Sequence, residues 1–159
     1  EPLNRYTFVD VDPAIRGIAE REFLREAASG EFIATDARRF VAETSKRYDA
    51  LVVDVYSSHT SIPGHLVTRE FWADTRRVLK PGGIMVANLI LDGQLASPYA
   101  HNLLATIESS YGRCAVEVLY KSAPRSNVVV SCFVKSQPRK FEIYSDERNR
   151  ADVDRLSID

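Results

Sequence analysis

The chain has 159 residues, 45% of them hydrophobic and 27% charged, which predicts one globular domain with a real core. Lysine and arginine number 21 against 22 acidic residues, and this balance disfavours nucleic acid or an anionic membrane surface as a partner. The sequence has no apolar run of about eighteen residues and no basic-then-apolar leader, so we expect neither a membrane span nor a signal peptide. We therefore expect a cytoplasmic location.

The chain begins with a strand and a helix. Residues 6–12 carry β-branched and aromatic side chains and end in acids, which predicts a first strand. Asp12 and Pro13 are typical of a helix start, since aspartate caps the first amides and proline suits the first helical position. Apolar side chains then recur at helical spacing up to Ala27, and Gly30 ends the helix.

A second and a third strand follow. Residues 31–35 predict the second strand, and Asp36 is placed to cap a helix after it. The predicted strand at residues 48–53 contains four consecutive apolar side chains, 50–53, without polar alternation, which is typical of a parallel strand covered on both faces. Asp54 stands at the carboxyl end of that strand, the edge where open α/β sheets bind their ligands. The long polar loop 55–66 is typical of a binding loop.

The rest of the pattern predicts α/β architecture. Two strands at the end of the pattern have no helix between them, which implies an antiparallel hairpin. The predicted order β-α-β-α-β-α-β-α-β-β gives a mostly parallel sheet with a C-terminal antiparallel hairpin. We expect one domain over residues 1–135 and a charged tail over 136–159. The later predicted elements are a helix at 68–79, a strand at 84–90, a helix at 99–111 and strands at 115–120 and 127–134.

Cysteine and histidine give little sign of chemistry. Cys114 and Cys132 are too far apart for a CxxC signature, and we expect two buried thiols, with a disulfide bond as the alternative because both lie in neighbouring predicted strands. His59, His65 and His101 lack paired ligand spacing, so we expect no metal site. His65, in the long loop, is placed to line a pocket or to order that loop.

Three acids recur at strand ends: Asp10, Asp36 and Asp54. Because parallel strands point the same way, we expect their carboxylates to lie along one edge of the sheet. An acid after an early strand of such a sheet commonly accepts hydrogen bonds from ribose hydroxyls. Asp36 could meet the exocyclic amine of a purine or could simply cap its helix.

Successive motifs resemble the spermidine synthases, which are polyamine aminopropyltransferases. These motifs are FVDVDP at 8–13, TDA at 35–37, YDALVVD at 48–54, LVTREF at 66–71 and LKPGG at 79–83. SIP at 61–63, HLVTRE at 65–70 and PRSN at 124–127 are similar to a divergent, spermidine-synthase-like branch. The resemblance implies a Rossmann-like methyltransferase fold and decarboxylated S-adenosylmethionine, or S-adenosylmethionine, as co-substrate.

By this resemblance, Asp10 with Val11 would hold the ribose of the nucleoside, and Asp36 with Ala37 would lie at the adenine. Asp54 would be the catalytic residue that accepts a proton from the attacking amine, since an ammonium is not a nucleophile until it is deprotonated. No metal is implied.

The resemblance also places a small amine substrate near Tyr56, Ser57, His65 and Tyr120. Aminopropyltransferases carry a second aspartate three residues beyond the catalytic one to bind the diamine, and Ser57 stands there in this sequence. Lys121 would repel a polyamine if it faced the pocket. These departures leave a methyltransferase of the same fold as one alternative, and a degenerate domain that binds a nucleoside or serves assembly as another. A homodimer is a further expectation.

The glycine-rich turn that cradles the cofactor in this fold is missing from the sequence, together with the first strand that precedes it. In the family's strand order that strand lies in mid-sheet, between the strands that end at Asp10 and Asp54. Both neighbours would otherwise expose unpaired edges. We therefore expect the chain to be part of a longer protein, or another segment or chain to fill the gap.

Overall fold

The computed structural model describes residues 4–56 and 62–135. Strands and helices alternate up to the last helix, and two strands follow it. Residues Ala19–Leu24 continue α1 as a π-helical segment, and Gly64–Leu66 form a short 3₁₀ turn. The elements are β1 (Thr7–Asp10), α1 (Ile15–Ile18), β2 (Glu31–Ala34), α2 (Ala37–Glu43), β3 (Tyr48–Val53), α3 (Arg69–Arg77), β4 (Leu79–Leu91), α4 (Pro98–Tyr111), β5 (Ala115–Val118) and β6 (Ser126–Phe133).

The strands form two groups. β1 pairs with β2 in parallel, and a second sheet has the order β3-β4-β6-β5. Within the second sheet β3 and β4 are parallel, whereas β6 is antiparallel to both β4 and β5. The predicted antiparallel pairing of the last two strands is present. The predicted mostly parallel sheet is matched only in part, because the described strands make two parallel and two antiparallel pairings.

Side-chain caps start the three longer helices. Asp36, Thr68 and Ser97 accept hydrogen bonds from the backbone amides of Arg39, Phe71 and Ala100, as expected of residues that favour helix starts. At the other end of α3, Arg77 donates to backbone carbonyls of α2, including that of Ala42 at 3.0 Å. These bonds fix α2 against α3 and so fix the position of the Asp36 cap.

The core lies between the second sheet and the helices α3 and α4. Phe71 and Trp72 of α3 and Ile107 of α4 are almost fully buried against the alternate β4 side chains Met85, Ala87 and Leu89. Within this core, the Tyr111 hydroxyl of α4 donates a hydrogen bond to Thr75 Oγ1 of α3 at 3.0 Å. Burial raises the pKa of Tyr111 to about 12, although the hydrogen bond with Thr75 opposes this shift, so the hydroxyl stays neutral.

The opposite face of the second sheet is open in the described part of the chain. Val52 of β3 is 71% exposed, and Phe133 of β6 is also exposed. The prediction that β3 is covered on both faces is therefore wrong for these residues. The physical reason is that α2, α3 and α4 all lie on one side of the sheet, whereas Val52 points to the other side.

Cys114 and Cys132 form a disulfide bond, so the expectation of two free thiols is wrong and the alternative is correct. The bond joins the segment before β5 to β6 and closes a loop of 18 residues in sequence separation. Chain-entropy estimates give a loop of this size about 3 kcal/mol of stabilisation. Such bonds are uncommon in cytosolic proteins. The predicted cytoplasmic location thus stays a prediction, and this bond counts against it.

None of the helices in the described ranges is long and apolar enough to cross a lipid bilayer. The predicted tail, residues 136–159, lies outside the described residues.

Candidate active site

The predicted site acids lie at the carboxyl ends of three strands. Asp10 is the last residue of β1, Asp36 follows β2, and Asp54 directly follows β3. β1 and β2 run parallel in the register Asp10 to Ala34, so their ends lie side by side. A hydrogen bond between Asp36 and His65 connects the end of β2 to the segment just before α3.

Asp10 is oriented by a tight turn. Its Oδ1 accepts the backbone amide of Asp12 at 2.8 Å, and Asp12 Oδ1 accepts the amide of Ala14 at the same distance. Asp10 Oδ2 has no hydrogen-bond partner among the described residues, and the side chain is only partly buried. Val11, the neighbouring predicted contact, has a side chain that is 74% exposed. This geometry leaves Oδ2 without a partner in the described chain and able to accept hydroxyl donors.

Asp36 uses both oxygens within the protein. Oδ1 accepts the amide of Arg39 at 3.0 Å, and Oδ2 lies 2.9 Å from His65 Nε2. Burial opposes ionisation of Asp36, but the hydrogen bonds from Arg39 and His65 outweigh it and hold the pKa of this carboxyl below its usual range. Ala37 follows at the first turn of α2, partly buried against the core. The helix-capping interpretation of Asp36 is therefore correct, and a role at adenine stays a prediction.

Arg38 strengthens the same connection. Its Nη1 donates to the backbone oxygen of His65 at 2.9 Å and to Thr68 Oγ1 at 3.3 Å. His65 was predicted to contact the amine substrate, but it lies against the start of α2 beside Asp36. Together these contacts hold residues 65–68 against the start of α2.

Asp54 is exposed and is held from the neighbouring strand. β3 and β4 pair in the register Val53 to Ala87, which places Asp54 next to Asn88. Asn88 Nδ2 donates to Asp54 Oδ1 at 3.1 Å, and the hydroxyl of Tyr56 donates to the backbone oxygen of Asn88 at 2.6 Å. Burial, and then the negative charge of Asp54, raise the pKa of Tyr56 to about 12. Tyr56 is thus a neutral donor whose proton is used within the protein.

Sequence reasoning missed Asn88. The signal was present, because Asn88 is the one polar side chain in the apolar run of residues 84–91. A polar residue on a strand that is otherwise apolar needs a partner, and the partner here is Asp54.

A cavity of about 240 Å³ adjoins the end of β4. Tyr120, one of the predicted substrate contacts, is 66% exposed, and its chain turns close to this cavity. The turn packs on Gly93, where an added Cβ would lie 2.2 Å from the Tyr120 carbonyl oxygen, so only glycine fits. Ser57, another predicted contact, lies outside the described residues. The cavity is lined by Ile90, Leu91, Asp92, Tyr99, Pro124 and Arg125.

Asp92 shapes the loop beside this cavity. Its oxygens accept the amides of Ala96 at 2.7 Å and Ser97 at 3.2 Å. The Ser97 side chain and these amides lower the pKa of Asp92. The carboxylate is therefore already occupied by main-chain donors. Over residues 4–56 and 62–135, no group of three or more histidine, cysteine or acidic side chains is arranged to hold a metal ion.

Comparison with known proteins places the chain in a family. The family model described as the spermine/spermidine synthase domain matches residues 2–142. The polyamine aminopropyltransferase of Vibrio vulnificus (strain CMCP6) is 32% identical over 115 residues, which cover 70% of this chain and 37% of that protein. The chain thus spans little more than a third of this curated relative.

Solved structures share the fold. A probable spermidine synthase from Corynebacterium glutamicum ATCC 13032 superposes with a TM-score of 0.69 at 22% identity, covering 96% of this chain and 53% of that one. Human methyltransferase-like protein 13, solved in complex with SAH, gives a TM-score of 0.68 at 20% identity, covering 89% of this chain and 65% of that one. These likenesses show the Rossmann-like methyltransferase fold that the motifs predicted. Because the family model matches most of this chain, the chain belongs to the spermine/spermidine synthase family.

Proposed function

We propose that this protein transfers an aminopropyl group from decarboxylated S-adenosylmethionine to a small amine. The amine nitrogen attacks the propyl carbon bonded to the sulfonium, so an N–C bond forms as the C–S bond breaks. The electron pair of the broken bond returns to sulfur, which leaves methylthioadenosine, and the proton lost by the amine passes to Asp54. Membership of the family supports this reaction.

The observation that carries the proposal is the placement of Asp54. An amine is mostly protonated near neutral pH and must lose a proton before its lone pair can attack. Asp54 offers an exposed carboxylate at the carboxyl edge of β3, with Oδ1 held by Asn88. The same negative charge attracts a cationic amine.

For the donor, we assign Asp10 to the ribose hydroxyls and Asp36 to the adenine side. The first assignment is supported by the second oxygen of Asp10, which has no partner among the described residues. At Asp36 the bond to His65 means that a purine amine would share or replace that contact. Val11 and Ala37, each next to one of these acids, would line the nucleoside.

For the acceptor, we propose a small amine that lies between Tyr56 on one side and Tyr120 with the cavity at the end of β4 on the other. Ser57 in place of a second aspartate, together with Arg125 at the cavity, disfavours a long polyamine with a cation at each end. His65, because it contacts Asp36, belongs on the donor side of this site.

We also propose that a further parallel strand lies between β1 and β3 in the working enzyme. β1 and β3 belong to different sheets, and exposed apolar side chains, including Phe8 and Val52, flank the break. Amide hydrogen exchange in the full-length natural protein tests this. We expect slow exchange of the β1 and β3 amides that face the break; exchange as fast as in an unfolded peptide would contradict the proposal.

Calorimetric titration of methylthioadenosine into the full-length protein tests whether the site accepts an adenosyl nucleoside. We expect saturable binding that weakens in Asp10→Asn, because the ribose hydroxyls lose an anionic acceptor worth about 1.5 to 3 kcal/mol. Asp12→Asn, in the same turn, is the control and should bind normally. Absence of heat with the wild-type protein would overturn the enzymatic proposal in favour of an assembly role.

A further inference from the structure

Asn88 connects two residues of the proposed site. Its side chain donates to Asp54 Oδ1 at 3.1 Å, and its backbone oxygen accepts the Tyr56 hydroxyl at 2.6 Å. Asn88 lies inside β4, which pairs with β3 on one side and with β6 on the other. The paired strands restrict the backbone at Asn88, whereas Asp54 lies just past the end of its own strand. Asn88, on a strand paired on both sides, thus holds Asp54, whose position past the end of its strand is less restricted.

We infer that Asn88 is a positioning residue that sets the orientation of Asp54 for proton transfer, an inference that rests on the proposed function of Asp54. An aspartate at a strand end can rotate about both of its side-chain bonds, and each wrong rotamer moves the basic oxygen away from the amine. The Asn88 amide engages Oδ1, which leaves Oδ2 to receive the proton.

The chemical type of Asn88 suits this task. An amide is a neutral donor that cannot give up its proton, so it orients the carboxylate without neutralising it as a lysine or arginine would. A carboxylate at position 88 would instead place a second negative charge beside Asp54 and favour its protonated form.

In the described chain, the other groups around Asp54 donate no hydrogen bond to its carboxylate. Tyr56 gives its proton to the Asn88 carbonyl and, with a pKa of about 12, remains neutral below strongly alkaline pH. Tyr99 of α4, next along the same edge, also has a raised pKa because it is partly buried, so it stays neutral as well. Asn88 is accordingly the described side chain that donates to Asp54.

Two substitutions separate positioning from packing. Asn88→Asp keeps the size of the side chain but replaces the donor with a negative charge, and Asn88→Ala removes the whole carboxamide without adding a charge. We expect kcat to fall roughly 10-fold or more in Asn88→Asp and several-fold in Asn88→Ala, with methylthioadenosine affinity unchanged. The acidic limb of the pH–rate profile should move up by about one unit in Asn88→Asp only.

Asn102→Asp on the exposed surface of α4 is the matched control and should behave as the wild type. A pH–rate profile and kcat unchanged in Asn88→Asp would overturn the inference. If the wild-type protein shows no turnover at all, the proposed function fails, and the inference is then decided by the ¹³C NMR titration of Asp54. An upward shift of its midpoint pH in Asn88→Asp supports contact and orientation by Asn88, whereas an unchanged midpoint refutes them.

Discussion

Replacing Asp54 by asparagine is expected to lower kcat by about 10² to 10⁴, the usual contribution of a positioned general base. The substitution changes one oxygen to an amide nitrogen and preserves the size of the side chain, so the strand and the nucleoside site should remain intact. Methylthioadenosine should therefore bind to Asp54→Asn nearly as tightly as to the wild type. Steady-state kinetics and calorimetry on the same preparations measure the two effects separately.

The opposite end of the same strand provides the control. Asp49 lies near the start of β3, its side chain is 84% exposed, and it pairs with Lys80 at 2.8 Å. Exposed ion pairs contribute little to stability, so Asp49→Asn should retain wild-type kcat. If Asp54→Asn keeps half or more of the wild-type turnover, Asp54 is not the base, and the proton must leave by another route.

The sequence was most informative where a residue type strongly favours one local structure, as aspartate favours the start of a helix. Asp36 was predicted as a helix cap and does cap α2. The missing strand was expected between the strands that end at Asp10 and Asp54. In the described chain these two strands lie in separate sheets, and what fills the gap stays a prediction.

Sequence reasoning failed where the result depends on register or on side chains distant in sequence. The contact of Asn88 with Asp54 follows from the register of β3 with β4, which no local pattern specifies. His65 contacts Asp36 across 29 positions of sequence, a pairing that no local pattern specifies, and its role as a substrate contact stays a prediction. Cys114 and Cys132 meet because β5 pairs with β6, and spacing alone could not choose between thiols and a bond.

The choice of sulfonium donor is expected to be nearly absolute. Decarboxylated and ordinary S-adenosylmethionine share the adenosyl sulfonium and differ in one carboxylate, which lies on the chain to be transferred. In the proposed geometry the amine and Asp54 lie next to that chain, so the extra carboxylate would face the negative charge of Asp54. Like-charge contact of this kind costs several kcal/mol, enough to reduce the rate by about 10² or more.

The most direct test incubates the full-length protein with a panel of small amines and each donor in turn, and identifies the nucleoside product by mass spectrometry. Our account predicts methylthioadenosine and an aminopropylated amine from decarboxylated S-adenosylmethionine, with little product from the ordinary donor. S-adenosylhomocysteine and a methylated amine from the ordinary donor would contradict it and identify a methyltransferase instead.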